Sequence, residues 1–184
     1  MNWNEHSDRK GTHAILSPSM YHWINYDKER LINYYANIQA KKEGTELHEL
    51  ASLLINKKIK VARTKDAFHL FVNDCIGFRM RSEQPLEYSD NIFGTADAIS
   101  FRDGVLMIFD LKTGLTRASF KQLDVYAALF CLEYQVDPTK IKIVQRIYQF
   151  SEFLEAIPEG LYIKEVMDKI VESDYILERI KQEL

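Results

Sequence analysis

Apolar residues recur at helical spacing through the first third of the chain. Two consecutive segments, 28–40 and 43–56, carry the pattern. The residues that form it are Leu31, Tyr34, Tyr35 and Ile38 in the first segment, and Leu47, Leu50, Ala51 and Leu54 in the second. Before them, Ser17 precedes Pro18, an order typical of a helix start, which predicts a short capped helix through Trp23.

The pattern then changes to short apolar runs that indicate strands. Residues 67–72 and 76–80 are interpreted as two strands joined by a turn at Asn73-Asp74. A hairpin is better defined, because residues 93–101 and 105–109 flank an Asp-Gly pair that favours a tight turn. Its second strand is apolar on both faces, so we expect it in the middle of a sheet covered by helices.

Beyond the hairpin, the pattern predicts a helix over 117–134, a strand over 141–148 and an amphipathic helix over 162–184. The expected fold is therefore an α/β domain with a mixed central sheet flanked by helices. No linker or repeat divides the chain, which predicts one domain over 14–184 after a flexible N-terminus at 1–13.

Composition narrows the class of protein. A chain of 184 residues that is 46% hydrophobic can bury a full core, and a formal net charge of -3 excludes a strongly basic nucleic-acid binder. Two isolated cysteines, Cys75 and Cys131, cannot hold an iron–sulfur cluster, and their apolar surroundings indicate reduced thiols in a cytoplasmic protein. No window is apolar enough for a membrane helix, so we expect no membrane association.

Three charged residues lie on or beside the hairpin. Asp110 and Lys112 are two apart on one strand and so project from the same face, and pairing across the turn brings Asp97 beside Asp110. Two close carboxylates repel unless a cation lies between them, and Mg²⁺ prefers such oxygen ligands. A neighbouring lysine can position and help to deprotonate a water that attacks a phosphodiester. The three residues thus indicate metal-assisted phosphoryl hydrolysis.

Four short motifs carry a resemblance to a known family. Gly94-Thr95-Ala96-Asp97 followed by Phe109-Asp110-Leu111-Lys112-Thr113-Gly114 resembles the D…(D/E)xK core of PD-(D/E)xK nucleases. The segment 122–126, QLDVY, is similar to the QxxxY helix motif of RecB-type nucleases and their phage relatives, and 44–49, GTELHE, is similar to the upstream histidine motif of that branch. The resemblance covers residues 44–126 and implies a restriction-endonuclease-like core.

The resemblance also implies a role for each motif residue. Asp97, Asp110 and the backbone carbonyl of Leu111 would hold one or two Mg²⁺ or Mn²⁺ ions, with His48 as a further ligand. Lys112 would orient the nucleophile. Residues Gln122 and Tyr126 share one face of a helix that would close over the metal and the phosphate.

Two acidic residues are alternatives or additions to this set. Glu83 lies where relatives carry a glutamate on an earlier strand, so it is an additional candidate ligand. Glu49 could replace His48, but it is rotated about 100° away on the same helix.

The function implied is metal-dependent hydrolysis of DNA, as an end-dependent exonuclease of phage-type recombination or repair in a bacterial or infected-host cytoplasm. DNA is the expected partner, and a homo-oligomer or a recombination or replication protein are further partners that the resemblance leaves open. The alternatives are an endonuclease with the same metal site, and a non-catalytic module that binds DNA or protein.

Each residue also has a simpler interpretation in isolation. His48 would be a half-buried packing residue, and Asp97 an Asx turn or a helix cap. Asp110 and Lys112 would form an exposed strand pair, and Tyr126 would be a core aromatic. Only the joint occurrence of the motifs favours the nuclease interpretation.

Overall fold

The computed structural model describes residues 12–114 and 116–183, and most of the segment 1–13 that we expect to be flexible lies outside them. The chain divides into two compact units, residues 1–43 and 44–184. In the first unit, residues Pro18–Asn25 form a 3-10 helix. Ser17 has the extended backbone of a cap residue, but its side chain makes no capping hydrogen bond, so that part of the expectation is wrong.

Helix α1 spans Lys28–Lys57, and the boundary between the two units falls within it. The two helical segments expected at 28–40 and 43–56 are therefore one continuous helix. Gly44 lies at the junction between them and is buried. A Cβ at Gly44 would come within 2.8 Å of Thr113 Oγ1, so the missing side chain lets this helix lie against the end of a strand.

The second unit contains a five-stranded mixed sheet. Its order is β1-β2-β3-β4-β5, with β3 and β4 parallel and the other three pairs antiparallel. The strands are β1 Arg81–Ser89, β2 Ile92–Arg102, β3 Val105–Lys112, β4 Lys142–Gln149 and β5 Glu152–Ala156. Strand β3 is central, as its apolar sequence predicts, and the expected α/β class with a mixed sheet is confirmed.

The hairpin between β2 and β3 has the predicted turn. Arg102 pairs with Val105, which leaves Asp103 and Gly104 as a two-residue loop. Their φ angles are +51° and +72°, and positive φ at both positions is the requirement of a type I′ turn. This turn fixes the register of the strands that carry Asp97 and Asp110.

The two strands expected at 67–72 and 76–80 are wrong, because helix α2 occupies Ala67–Gly77. The Asp66 carboxylate caps it by accepting hydrogen bonds from the amides of Phe68 and His69 at 3.0 and 3.3 Å. The buried positions follow a helical period, and they are Ala67, Phe71, Val72 and Cys75. The expected turn at Asn73-Asp74 lies inside the helix.

Neither edge strand is predicted by the pattern of apolar residues. Strand β1 is largely polar and includes Pro85, and Leu86 is its one buried residue. A sheet edge tolerates proline and charge, because one side of the strand needs no hydrogen-bonded neighbour. Strand β5, Glu152–Ala156, forms the opposite edge and alternates between exposed and half-buried residues.

Helices cover both faces of the sheet. Helices α3, Lys121–Glu133, and α4, Gly160–Glu183, correspond to the helices expected at 117–134 and 162–184. One core cluster joins α3 and α4 to the sheet, and it includes Leu106, Ile108, Leu123, Ile147 and Ile163. The other joins α2 and the end of α1 to the opposite face, and it includes Ala51, Phe71, Ala98, Phe109 and Leu111.

Cys75 and Cys131 are buried free thiols, one in each of these clusters. None of the helices that the described ranges contain is long and apolar enough to cross a membrane.

Candidate metal centre

The two aspartates of the hairpin lie at neighbouring positions of β2 and β3. The β2–β3 ladder ends with Ala98 opposite Phe109, and Asp97 and Asp110 are the next residue on each strand beyond this pair. Asp97 Oδ2 accepts a hydrogen bond of 2.9 Å from the amide of Leu111. The juxtaposition expected from the turn is therefore present.

Asp110 is a buried carboxyl group, with 2% of its surface exposed. Burial raises its pKa to about 6, and the negative charge of Asp97 acts in the same direction, while Lys112 and His48 oppose the shift. Its Oδ2 atom has no hydrogen-bond partner among the described residues. Its charge partner is the Lys112 ammonium, and the oxygen can accept a further contact.

Lys112 lies on the same face of β3 as Asp110, as the strand period predicts. Its Nζ atom is 3.0 Å from Asp110 Oδ2, within ion-pair range but without the angles of a hydrogen bond. The same ammonium donates a hydrogen bond of 2.8 Å to Gln122 Oε1 on α3. The two contacts hold the charge of Lys112 at the edge of the carboxylate pair.

His48 reaches the aspartates from α1. Its Nδ1 atom lies 3.3 Å from Asp97 Oδ2. The hydrogen bond to Asp97 raises the pKa of His48, and burial opposes this shift. The side chain is half-buried because His48 follows Gly44 by four residues and precedes Ala51 by three on the inner face of the helix, whereas Glu49 is exposed. The geometry therefore favours His48 over Glu49 as a ligand.

Glu83 lies close to two of the predicted ligands, His48 and Asp97. His48, Glu83 and Asp97 each offer one ligand atom, and these atoms lie within 4.8 Å of one another. The neighbours of Glu83 on β1, Ser82 and Gln84, pair with the neighbours of Asp97 on β2, which brings the two carboxylates together.

The environment of Glu83 also shows the crowding of negative charge. Burial and then the charge of Asp97 raise its pKa. Its backbone has a φ of +50°, a left-handed conformation that is strained for a residue with a side chain. Strain of this kind persists where surrounding structure imposes it, and here it lies at the carboxylate cluster.

Gln122 and Tyr126 share the α3 face that meets this cluster. Gln122 Nε2 donates to the Tyr126 hydroxyl at 3.3 Å, and that hydroxyl donates to the Thr95 carbonyl on β2 at 2.7 Å. Lys112 is thus linked through α3 back to β2. Gly94 makes room for this contact, because a Cβ there would lie 3.1 Å from Tyr126 Cε1.

The donor set fits a divalent cation. His48, Glu83 and Asp97 offer an imidazole nitrogen and two carboxylate oxygens at mutual ligand distance, and all three lie in the second unit. Asp110 is not a member of this close group, although the charge of Asp97 acts on it. A cation between the carboxylates would reduce their repulsion. Leu111 contributes its amide to Asp97, while the role of its carbonyl as a ligand stays a prediction.

Comparisons with known proteins do not identify a family for this chain. No family model matches the chain, and no curated protein matches it. Among solved structures, the crystal structure of SSO0001 is similar at 11% identity with a TM-score of 0.33, covering 73% of this chain and 69% of that chain. A similarity of this size carries no conclusion about function.

Proposed function

We propose that this protein is a metal-dependent deoxyribonuclease of the PD-(D/E)xK type. The observation that carries the proposal is the position of Lys112, whose ammonium lies between the buried carboxylate of Asp110 and the amide of Gln122. Two helices, a three-stranded meander, a helix and a strand parallel to the third follow one another along the chain, and this order supports the proposal of a restriction-endonuclease-like core. The contacts of His48 with Asp97 and of Lys112 with Gln122 support it as well, because they join residues of different motifs.

The proposed metal is Mg²⁺ or Mn²⁺, as one or two ions. Asp97, Asp110 and His48 would hold it together with Glu83, the additional candidate of the sequence, which lies beside His48 and Asp97. A bound divalent cation supplies the Lewis acidity that polarises the scissile phosphate and makes the attacking water more acidic. The imidazole favours Mn²⁺, because Mg²⁺ prefers a shell made of oxygen atoms.

The chain's own residues would position the reactants. The Lys112 ammonium has three N–H donors, of which one is used by Gln122, so it can orient a water or a phosphate oxygen beside Asp110. Tyr126 and Gln122 fix the lysine from the α3 side and limit its rotation. The buried surroundings of Asp110 strengthen each of these electrostatic contacts.

The substrate geometry rests on analogy. Small members of the resembling branch are often recombination or repair exonucleases, so we propose end-dependent degradation of DNA. An endonuclease with the same residues differs only in whether it needs a free end. A homo-oligomer or a recombination or replication protein remains a proposed partner.

One experiment tests the chemistry and the geometry of the substrate together. The protein is incubated with linear duplex DNA and with covalently closed circles, in Mg²⁺, Mn²⁺ or EDTA, beside the variants Asp110→Asn and Glu49→Gln. We expect the metals to support loss of linear DNA by the wild-type protein and by Glu49→Gln, while closed circles persist. The Asp110→Asn substitution or the addition of EDTA should prevent the loss of linear DNA.

The other outcomes separate the alternatives. Circles nicked as fast as linear DNA is consumed would replace the exonuclease by an endonuclease. Binding of DNA without hydrolysis under every metal condition would overturn the enzyme proposal in favour of a non-catalytic module.

A further inference from the structure

A second concave surface lies beside the metal centre on the same two strands. It is a pocket of about 510 Å³ between the β1–β2 ladder and the end of α3. Its floor is apolar, from Leu86, Ile99 and Phe130, which are buried. Three arginines line it, namely Arg79, Arg81 and Arg102, which we call the arginine rim.

The arginine rim carries uncompensated positive charge in a protein with a net charge of -3. None of its members forms an ion pair with a carboxylate in the ranges 12–114 and 116–183. Arg81 donates instead to the Gln84 side chain, and Arg102 donates to the Phe78 carbonyl. The three arginines are exposed, and they can bind an anion without first breaking an ion pair.

Aromatic rings stand at the same pocket. Phe101 and Tyr134 are 40% and 51% exposed, and both pack near Phe130, with ring centroids 5.1 and 4.9 Å from it. The Glu133 carboxylate interacts with the Tyr134 hydroxyl, and its Oε2 atom also accepts a hydrogen bond from the Glu87 amide. Exposed rings within a positively charged groove are the combination that binds unpaired bases and their phosphates.

Three elements, β1, β2 and α3, extend from the metal centre to the pocket. On β1, Arg81 is two residues from Glu83, and on β2, Phe101 is four residues from Asp97, or about 13 Å at the rise of a strand. On α3, the residues Tyr126, Phe130 and Tyr134 follow one another at four-residue spacing, so one face of the helix extends from Thr95 beside the metal centre to the pocket.

We propose that this pocket binds single-stranded DNA next to the metal centre. An unpaired base stacks against Phe101 and Tyr134, and the arginine rim binds the flanking phosphates. A single strand is favoured over a duplex because the rings lie in a concave pocket that a base enters only when it is free of its stack. This inference rests on the proposed function for the choice of DNA as the ligand.

The test measures binding in EDTA, where hydrolysis cannot interfere. Anisotropy of a fluorescein-labelled oligo(dT) is titrated with wild-type protein and with Arg79→Ala/Arg81→Ala/Arg102→Ala. The triple variant Lys57→Ala/Lys58→Ala/Lys60→Ala removes the same amount of charge elsewhere and is the control.

We expect the rim variant to bind oligo(dT) at least about tenfold more weakly than the wild type. The slope of log K against log salt should decrease in magnitude by about 2, since each phosphate neutralised on a single strand contributes about 0.7. The lysine variant should change both quantities much less.

Ring variants test stacking separately from charge. Tyr134→Ala should weaken binding by about fivefold or more with an unchanged salt slope, and Tyr134→Phe should bind like the wild type, because a ring suffices for stacking. Tyr134 is half-exposed, so the variant is expected to fold, and its circular dichroism melting curve checks this.

Several outcomes would overturn the inference. One is that oligo(dT) does not bind at all, and another is that the rim and lysine variants lose affinity equally. A third is that polyglutamate displaces oligo(dT) and that its own binding is weakened by the rim variant but not by Tyr134→Ala, which would indicate an acidic peptide as the ligand. Rim-dependent binding without any hydrolysis would refute only the proposed function. Hydrolysis with unaltered binding by the pocket variants would refute only this inference.

Discussion

Lys112 Nζ lies 3.0 Å from Asp110 Oδ2, a carboxylate oxygen that is buried yet receives no hydrogen bond from a described residue. An ion pair at this distance offsets part of the cost of burying the carboxylate. The lysine is also shared with Gln122 on α3. The arrangement keeps a charge beside a carboxylate that retains free acceptor capacity.

The first prediction follows from this shared position. Lys112→Ala should lower kcat for DNA hydrolysis by about 10²-fold or more while metal binding is retained, which is the scale of losing a positioned proton-transfer group. Single-turnover kinetics in Mn²⁺ and calorimetry with Mn²⁺ measure the two quantities. Lys121→Ala, an exposed lysine at the start of α3, is the matched control and should be active. Near-normal turnover by Lys112→Ala would reduce Lys112 to a structural residue.

The second prediction separates the ligands. Asp97→Asn should abolish Mn²⁺ binding, and Glu83→Gln should weaken it by at least about tenfold, since even residues that only support ligands cost 10- to 100-fold. Glu49→Gln changes an exposed carboxylate on the helix that carries His48, and it should bind like the wild type. Isothermal titration calorimetry gives each affinity. Wild-type affinity in Glu83→Gln would return the site to the set predicted from sequence.

Some features of the candidate site could be predicted from short stretches of the sequence. Asp103-Gly104 is a local signal with one strong conformational meaning, and it fixes the register that brings Asp97 and Asp110 to the same end of the hairpin. The strand period likewise puts Asp110 and Lys112 on one face. Both could be predicted because each depends on a few neighbouring residues. The contact between Lys112 and Gln122 joins two elements and is seen only in the folded chain.

Other features of the fold and the site depend on residues that are distant in the sequence. Strand β1 is polar because it forms a sheet edge, so nothing in its own sequence places Glu83 opposite Asp97. The aromatic residues of 67–78 favour a strand in a local pattern, whereas in the folded chain the Asp66 cap and the buried face of α2 stabilise a helix. The arginine rim brings Arg102 beside Arg79, 23 positions away, only after folding.

The third prediction concerns the space that Gly94 provides. Gly94→Val should displace the Tyr126 ring, which already lies 3.1 Å from where a Cβ would be, and should lower turnover several-fold by loosening the link through Gln122 to Lys112. Gly77→Ala is the control, because a Cβ there meets nothing within 4 Å and should stabilise the fold by about 0.4–1 kcal/mol. Activity and thermal melting are measured on both. Full activity of Gly94→Val would mean that the Tyr126 contact serves packing alone.

The fourth prediction is a dependence of stability on pH in the metal-free protein. Burial raises the pKa of Asp110 from 3.8 to about 6, so the folded state disfavours the charged carboxylate. This group's contribution is fully present below about pH 4 and is lost as the pH rises toward 6. The shift of roughly two units corresponds to about 3 kcal/mol, since each unit is worth about 1.4 kcal/mol.

His48 changes stability in the same direction at higher pH. Its pKa is raised by Asp97, so the stability that its protonated form contributes is present below 6.5 and is lost as the pH passes through the raised value. In EDTA, the melting temperature of the wild-type protein should therefore fall between pH 4.5 and 8. Asp110→Asn removes the first component and should melt about 5 to 10 °C above the wild type at pH 7, but close to it at pH 4.5.

The control for this measurement is Asp103→Asn, an exposed aspartate in a left-handed turn position that asparagine also accepts. It makes the same chemical change without removing a buried charge, so its melting curve should follow the wild type at every pH. Mn²⁺ should raise the wild-type melting temperature at pH 7 and leave Asp110→Asn unchanged, because a ligand stabilises only the protein that binds it. A constant difference between Asp110→Asn and the wild type across this pH range would show that Asp110 is not held in an environment that disfavours its charge, and that the carboxylates do not need a cation between them.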